Sequence, residues 1–307
     1  KLIDVPSAPQ IERFVGIRDA IHSPRQGWRQ VIVEATPDYS QERLDPGVPT
    51  ADHFVPILVE PRCSYRRSLR SNPFFDGVDL EGVEFLRGCT FCCFAASDYA
   101  PPSPEDAVER ALLQMRRYEQ TISESSRRDR FLLHITPAFP RLKDFLDGLV
   151  ALKLPPARIF FTCRVDELLT AAEALRAWLP ALSEQGHSLH FWQIGLENFS
   201  PDENARFNKG VEPSQIEAAV ALVNELEDAW PGTFVFHDHG GFAMILFTPW
   251  TRLSDLRLNA REIQRLGLRE QYAMLTTSLQ LRAGTPLEAL AARDGLTIDT
   301  DDPDVDP

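Results

Sequence analysis

Five cysteines in 307 residues are too few, and too unevenly spaced, for a disulfide framework. That excludes a small stapled secreted scaffold and points to reduced thiols in a cytoplasmic compartment. No apolar run reaches the roughly 20 residues needed to cross a bilayer. No secretory signal is visible either, so no membrane partner is expected. Cations are in deficit: 32 Lys and Arg stand against 45 Asp and Glu, a net charge of −13. This balance argues against a general nucleic-acid or anionic-membrane surface, while leaving room for one local basic groove. Methionine is absent at position 1, where Lys1 stands. A processed or trimmed N-terminus, with an upstream domain removed, is one reading of that.

What cysteine there is, is concentrated. Three of the five fall at Cys89, Cys92 and Cys93, inside the run Glu84-Phe-Leu-Arg-Gly-Cys-Thr-Phe-Cys-Cys-Phe94. Sulfur is a soft ligand suited to iron–sulfur clusters and to zinc, and thiols packed this tightly seldom serve only as core filler. Cys89-x2-Cys92 is also half of a zinc knuckle. Its second pair is missing, unless His237-Asp-His239 supplies nitrogen ligands. Of the other two cysteines, Cys63 follows the apolar run Phe54-Val-Pro-Ile-Leu-Val-Glu60. Cys163 ends the strand-like Ile159-Phe-Phe-Thr-Cys163 and reads as a small buried hydrophobe.

Hydrophobic residues make up 43% of the chain, enough for a substantial core in one large α/β domain or two smaller ones. Residues 1–55 read as an N-terminal extension or the tail of a preceding module, and carry one strand-like run, Gln30–Glu34. From Val83 onward short apolar runs alternate with helical patterns. Strands are expected at Val83–Leu86, Phe131–Ile135, Arg158–Thr162, His190–Leu196, within Phe234–Phe247 and at Ala273–Leu281. Helices are expected from Ser103-Pro104 to about Tyr118, then at Leu142–Leu152, Asp166–Trp178, Pro213–Leu226 and Leu253–Leu266. Repeated βα units imply a parallel sheet whose chemistry sits at the carboxyl ends of its strands. The domain is expected over 56–290, followed by an acidic flexible tail over 291–307.

With these elements in place, the chain resembles the radical S-adenosylmethionine (SAM) superfamily over roughly residues 55–290. Cys89-Thr-Phe-Cys92 matches the second half of that family's cysteine motif, with an aromatic, Phe91, before the last cysteine. Glu84 and Arg87-Gly-Cys89 are similar to its lead-in. Phe161-Thr-Cys-Arg-Val-Asp166 resembles a third-strand exit. Gln193-Ile-Gly-Leu-Glu-Asn198, with Asn208-Lys-Gly210 shortly after, is similar to the fourth-strand segment of the cobalamin-associated and related branches. Arg282-Ala-Gly-Thr-Pro286 resembles a sixth-strand end. The resemblance implies an α/β fold, a partial (β/α)6 barrel with an N-terminal extension. It also implies a [4Fe–4S] cluster held by three thiolates, SAM chelated at the open iron, and hydrogen abstraction from a substrate by a 5′-deoxyadenosyl radical. The partners implied are a small-molecule or peptide substrate and an electron donor such as a flavodoxin or ferredoxin.

One departure is plain. The family's common spacing is Cys-x3-Cys-x2-Cys, which would put the first cysteine at Phe85. Cys63, separated from Cys89 by 25 residues, is the natural replacement, giving Cys63, Cys89 and Cys92 as metal ligands with Cys93 as the substitute. Around the cofactor the resemblance implies roles for Phe91, Thr136, Arg164, Glu197 and Asn198, although the usual Gly-Gly-Glu after the second strand is replaced by Thr136-Pro-Ala-Phe139. The two strand ends have plainer readings: a helix cap at Asp166 after the third strand, and an ion pair of Glu197 with Lys209 or Arg206 after the fourth. His237, Asp238 and His239 precede Gly240-Gly241 and interrupt the fifth apolar run, which makes His239 and Asp238 weak catalytic candidates. No Asp-x-His-x2-Gly cobalamin signature is present. The rival expectations are a zinc-binding α/β protein and a degenerate barrel acting as a binding partner.

Overall fold

The computed structural model describes residues 53–57, 65–92, 104–133, 141–236, 241–268 and 278–296. A six-stranded, all-parallel sheet organises them. Its strands are β1 (Phe54–Ile57), β2 (Arg130–Leu133), β3 (Arg158–Arg164), β4 (Ser188–Glu197), β5 (Phe234–Val235) and β6 (Gly241–Met244). Spatial order follows chain order from β1 to β5, and β6 pairs the far end of β4 beyond β5. A single parallel bridge, Phe247 to Ser278, continues the progression beyond β6. The described residues thus form a mixed α/β fold on a parallel sheet.

Every parallel step needs a crossover, and helices supply it. They are α1 (Pro104–Thr121), α2 (Leu142–Leu152), α3 (Val165–Thr170), α4 (Ala172–Glu184), α5 (Pro201–Arg206), α6 (Pro213–Ala229), α7 (Leu253–Arg265) and α8 (Pro286–Arg293). One sheet face packs on them through Val55, Ile57, Phe131, Leu133, Ile159, Phe161, Leu189 and Phe191, all buried in one core. None of the described helices is long and apolar enough to cross a membrane.

Two departures from the expected elements matter for the site. Val83–Leu86 is not a strand. It is an irregular segment held by Leu69 N–H to Leu86 O and by an antiparallel bridge between Ser68 and Arg87. The first strand among the described residues is instead Phe54–Ile57, whose apolar run leads toward Cys63 and straddles the 55/56 boundary. The strand expected at Ala273–Leu281 is described only at its end, where Ser278 makes the bridge.

The expected Asp166–Trp178 helix is two. α3 starts at Val165 with Arg164 as its extended cap, and Asp166 lies inside the first turn. Two helices were not expected, α5 and α8. Both begin with a hydroxyl residue before proline. Ser200 and Thr285 accept from the N–H groups of Glu203 and Glu288, and Pro201 and Pro286 fill the first helical position.

A second, smaller core lies beside the carboxyl ends of the strands. Leu69, Phe75, Phe207, Leu287 and Leu290 form it, with Phe91 packed against them. It joins the cysteine-bearing segment to α5 and α8.

Candidate functional site

The segment 65–92 carries little regular structure, so its backbone must be satisfied by neighbours. Asn208 does much of this. It sits in the left-handed region at φ 50°, a conformation asparagine tolerates better than most residues. Its Nδ2 donates to Arg67 O at 3.0 Å and to Gly88 O at 2.8 Å, while its Oδ1 accepts from Asn72 Nδ2 at 3.3 Å. Tyr65 closes the other side by donating its hydroxyl to Asn208 O at 2.7 Å. Gly210 follows at φ 66°, and a Cβ there would lie 2.4 Å from the Tyr65 hydroxyl, so no side chain fits.

Thr90 is the second clamp. It is fully buried, with its hydroxyl donating to Arg206 O at 2.7 Å and its N–H to Phe207 O at 3.0 Å. Leu287 N–H reaches Thr90 O from α8. Between these clamps the chain makes a turn, Cys92 N–H to Cys89 O at 3.3 Å. Two thiols therefore sit on one turn, Cys89 buried and Cys92 half-buried.

Arg164, at the end of β3, points into this turn. Its Nη1 donates to Cys89 Sγ at 3.3 Å, its Nη2 to Lys209 O at 2.7 Å and its Nε to Asp166 Oδ1 at 2.8 Å. The guanidinium also lies 3.7 Å from the centre of the Tyr65 ring, a cation–π contact. Burial raises the Tyr65 pKa, with the Arg164 charge opposing.

At the end of the neighbouring strand, Glu197 takes φ 71° where the β4–β6 register slips. Its Oε1 accepts from Lys209 Nζ at 2.7 Å, and both side chains are almost wholly buried. Burial alone would push Lys209 down. The Glu197 carboxylate, with a contribution from Cys89, outweighs it and the pKa is raised. Gly195 makes room for the pair: a Cβ there would lie 2.8 Å from both charged atoms.

The sequence-expected residues therefore separate into groups. Cys89, Arg164, Glu197 and Lys209 meet at the carboxyl ends of β3 and β4, with Cys92 on the same turn as Cys89. Phe91 turns inward, edge-on to Phe207 with centroids 5.3 Å apart. Asn198 is committed to backbone, donating to Ile245 O at 2.9 Å and accepting from Ser200 N at 2.8 Å. Arg206 pairs with Glu203 rather than Glu197. Cys163 is buried, and burial pushes its thiol pKa well up, as suits a core residue. Cys63, Cys93, Thr136, His237, Asp238 and His239 lie outside the described residues.

Among the described residues no group of three or more His, Cys, Asp or Glu stands together as a metal site. The two thiols on one turn, one against a guanidinium, are nonetheless a donor set that suits thiolate ligation. Tyr65, Asn72, Asn208 and Thr90 were missed as organisers of the turn. Only the Asn208-Lys-Gly210 run signalled any of them.

No family model matches the sequence, and no curated protein matches it. Among solved structures, the chain is similar to the cobalamin-dependent S-adenosylmethionine radical enzyme OxsB with aqua-cobalamin bound. The identity is 15%, covering 83% of this chain and 37% of that one, with a TM-score of 0.47. The same enzyme with aqua-cobalamin and S-adenosylmethionine bound gives the same values. Its apo form gives 18% identity over 66% of this chain and 27% of that one, with a TM-score of 0.40. The chain thus spans 37% of the length of the first of these structures.

Proposed function

We propose that this chain is a radical SAM enzyme whose cluster is borne by the Cys89–Cys92 turn. The observation that carries this reading is the seating of that turn. It lies at the carboxyl ends of β3 and β4, where parallel sheets place their chemistry, with Arg164 donating to Cys89 Sγ. The resemblance read from Cys89-Thr-Phe-Cys92, Arg164, Glu197, Asn208-Lys-Gly210 and Gly284 supports it. These fragments are far apart in sequence and near in space: Glu84 N–H bonds Gly284 O at 3.0 Å, and Asn208 bonds Gly88 O.

Cys89 and Cys92 would hold the group, with Cys63 as third ligand and Cys93 as its substitute. Such a [4Fe–4S] group supplies one-electron cleavage of SAM and, through it, hydrogen abstraction from a substrate. Arg164 would hold its positive charge against the Cys89 sulfur, to which its Nη1 donates at 3.3 Å. The Lys209–Glu197 pair at the end of β4 would supply a matched pair of charges to the polar groups of bound SAM. Phe91 packs the turn into the smaller core and excludes water from its rear. The substrate would be a small molecule or a peptide, and the electron would come from a flavodoxin- or ferredoxin-like donor.

Anaerobic reconstitution followed by reduction with dithionite tests the reading. Release of 5′-deoxyadenosine from SAM is expected. A reconstituted, reduced protein that leaves SAM intact, or one that takes up zinc and no iron, overturns it.

A further inference from the structure

We infer that Arg164 is a positioning residue for the reduction potential: it raises the potential of the metal group that Cys89 holds. The inference rests on the functional reading above. Hydrogen bonds to ligand sulfurs and the charge around them are among the levers by which a protein sets a cluster's potential. Adding an electron adds negative charge, and a cation donating to a ligand sulfur stabilises that state more than the oxidised one.

The geometry fits this role closely. Arg164 is only 5% exposed and Cys89 only 8%, so little water screens the contact. The guanidinium cannot easily swing away. Its Nη2 is held by Lys209 O at 2.7 Å, its Nε by Asp166 Oδ1 at 2.8 Å, and its face by the Tyr65 ring at 3.7 Å. The nearby second cation is already matched, because Lys209 Nζ is paired with Glu197 at 2.7 Å. Asp166 offsets part of the Arg164 charge from its partly exposed side. Asp166 and Arg164 should therefore move the potential in opposite directions.

The test is a redox titration of the reconstituted full chain, followed by the paramagnetic signal of the reduced state. In Arg164→Gln the ratio of reduced to oxidised cluster at a fixed poise should fall roughly tenfold, a shift of about 59 mV downward for one electron. Arg164→Lys keeps the charge without the fork and should fall between Arg164→Gln and wild type. Asp166→Asn should shift the potential upward. Should Arg164→Gln fail to fold, Arg164→Lys and Asp166→Asn decide alone, since neither removes the buried cation. Clusters assembled at wild-type iron content with coincident potentials overturn this inference and leave the functional reading standing. A wild-type chain that assembles no cluster overturns both.

Discussion

The same face of the same sheet has two unlike ends. At the amino end β1, β2, β3 and β4 present Phe54, Arg130, Phe160 and Trp192 around a cavity of about 200 Å³. Phe54 stacks on Trp192 with centroids 5.4 Å apart, and Phe160 stacks on His190 at 4.4 Å. At the carboxyl end the same β3 and β4 present Arg164 and Glu197, tied to Lys209 and Cys89. The change falls at a bulge. The β3–β4 register slips between Phe161 and Thr162, leaving Trp192 as the extra residue and both Trp192 and Gln193 exposed, while Phe191 and Ile194 stay in the core. The helix-facing side is apolar along its whole length, so it records only folding. The opposite side changes character along its length, from a mainly aromatic end to the buried Arg164 and the Glu197–Lys209 ion pair.

The largest effect should follow from breaking the charged end. Lys209→Ala leaves Glu197 buried without its cation and should cost about 3–5 kcal/mol in denaturant unfolding. Trp192→Ala at the aromatic end, 41% exposed, should cost no more than about 1 kcal/mol. Equal costs would erase the contrast between the ends.

Gly195→Ala should cost about 1–3 kcal/mol by thermal unfolding, because the new Cβ meets Glu197 Oε1 and Lys209 Nζ at 2.8 Å. In a Lys209→Ala background that penalty should shrink, since one obstructing atom is gone.

Asn208→Ala removes the donor to Arg67 O and Gly88 O and should cost about 1–3 kcal/mol. Its signature is local. Hydrogen exchange should quicken across 67–92 and stay unchanged in β3.

The smallest effect is a pH dependence at the amino end. His187 Nδ1 accepts the Ala157 N–H at 3.2 Å, which requires a neutral ring. Burial, then the Arg127 charge, lowers its pKa. The folded chain therefore binds this proton less readily than the unfolded chain. The contribution is fully present above the ordinary histidine value of about 6.5 and is lost as pH falls from there through the folded value. His187→Gln should flatten stability between pH 7.5 and 5 relative to wild type.

The sheet was legible because parallel strands buried on both faces write themselves as apolar runs, as in Ile159-Phe-Phe161, and because α2 was read at its observed bounds, Leu142–Leu152. Val83–Leu86 misled because its Val, Phe and Leu serve a loop whose backbone is paired by distant backbone groups, Leu69 N–H to Leu86 O and Glu84 N–H to Gly284 O, which no local pattern encodes. The helix expected from Asp166 starts one residue earlier, at Val165, since the Glu167 carboxylate accepts the Arg164 N–H at 3.0 Å, and it breaks after Thr170 into two. At the site, Cys89, Arg164 and Glu197 stood out from sequence. Tyr65, Asn72 and Thr90 did not, because their roles are contacts to backbone more than 100 residues away.

Iron and sulfide counted per chain after anaerobic reconstitution, in wild type and in Cys89→Ser, test the central claim most directly. About four of each in wild type, with a large loss in Cys89→Ser, is the expected result. A wild-type chain that retains neither, or a Cys89→Ser chain that retains both in full, contradicts the assignment of the Cys89–Cys92 turn as the cluster-bearing element.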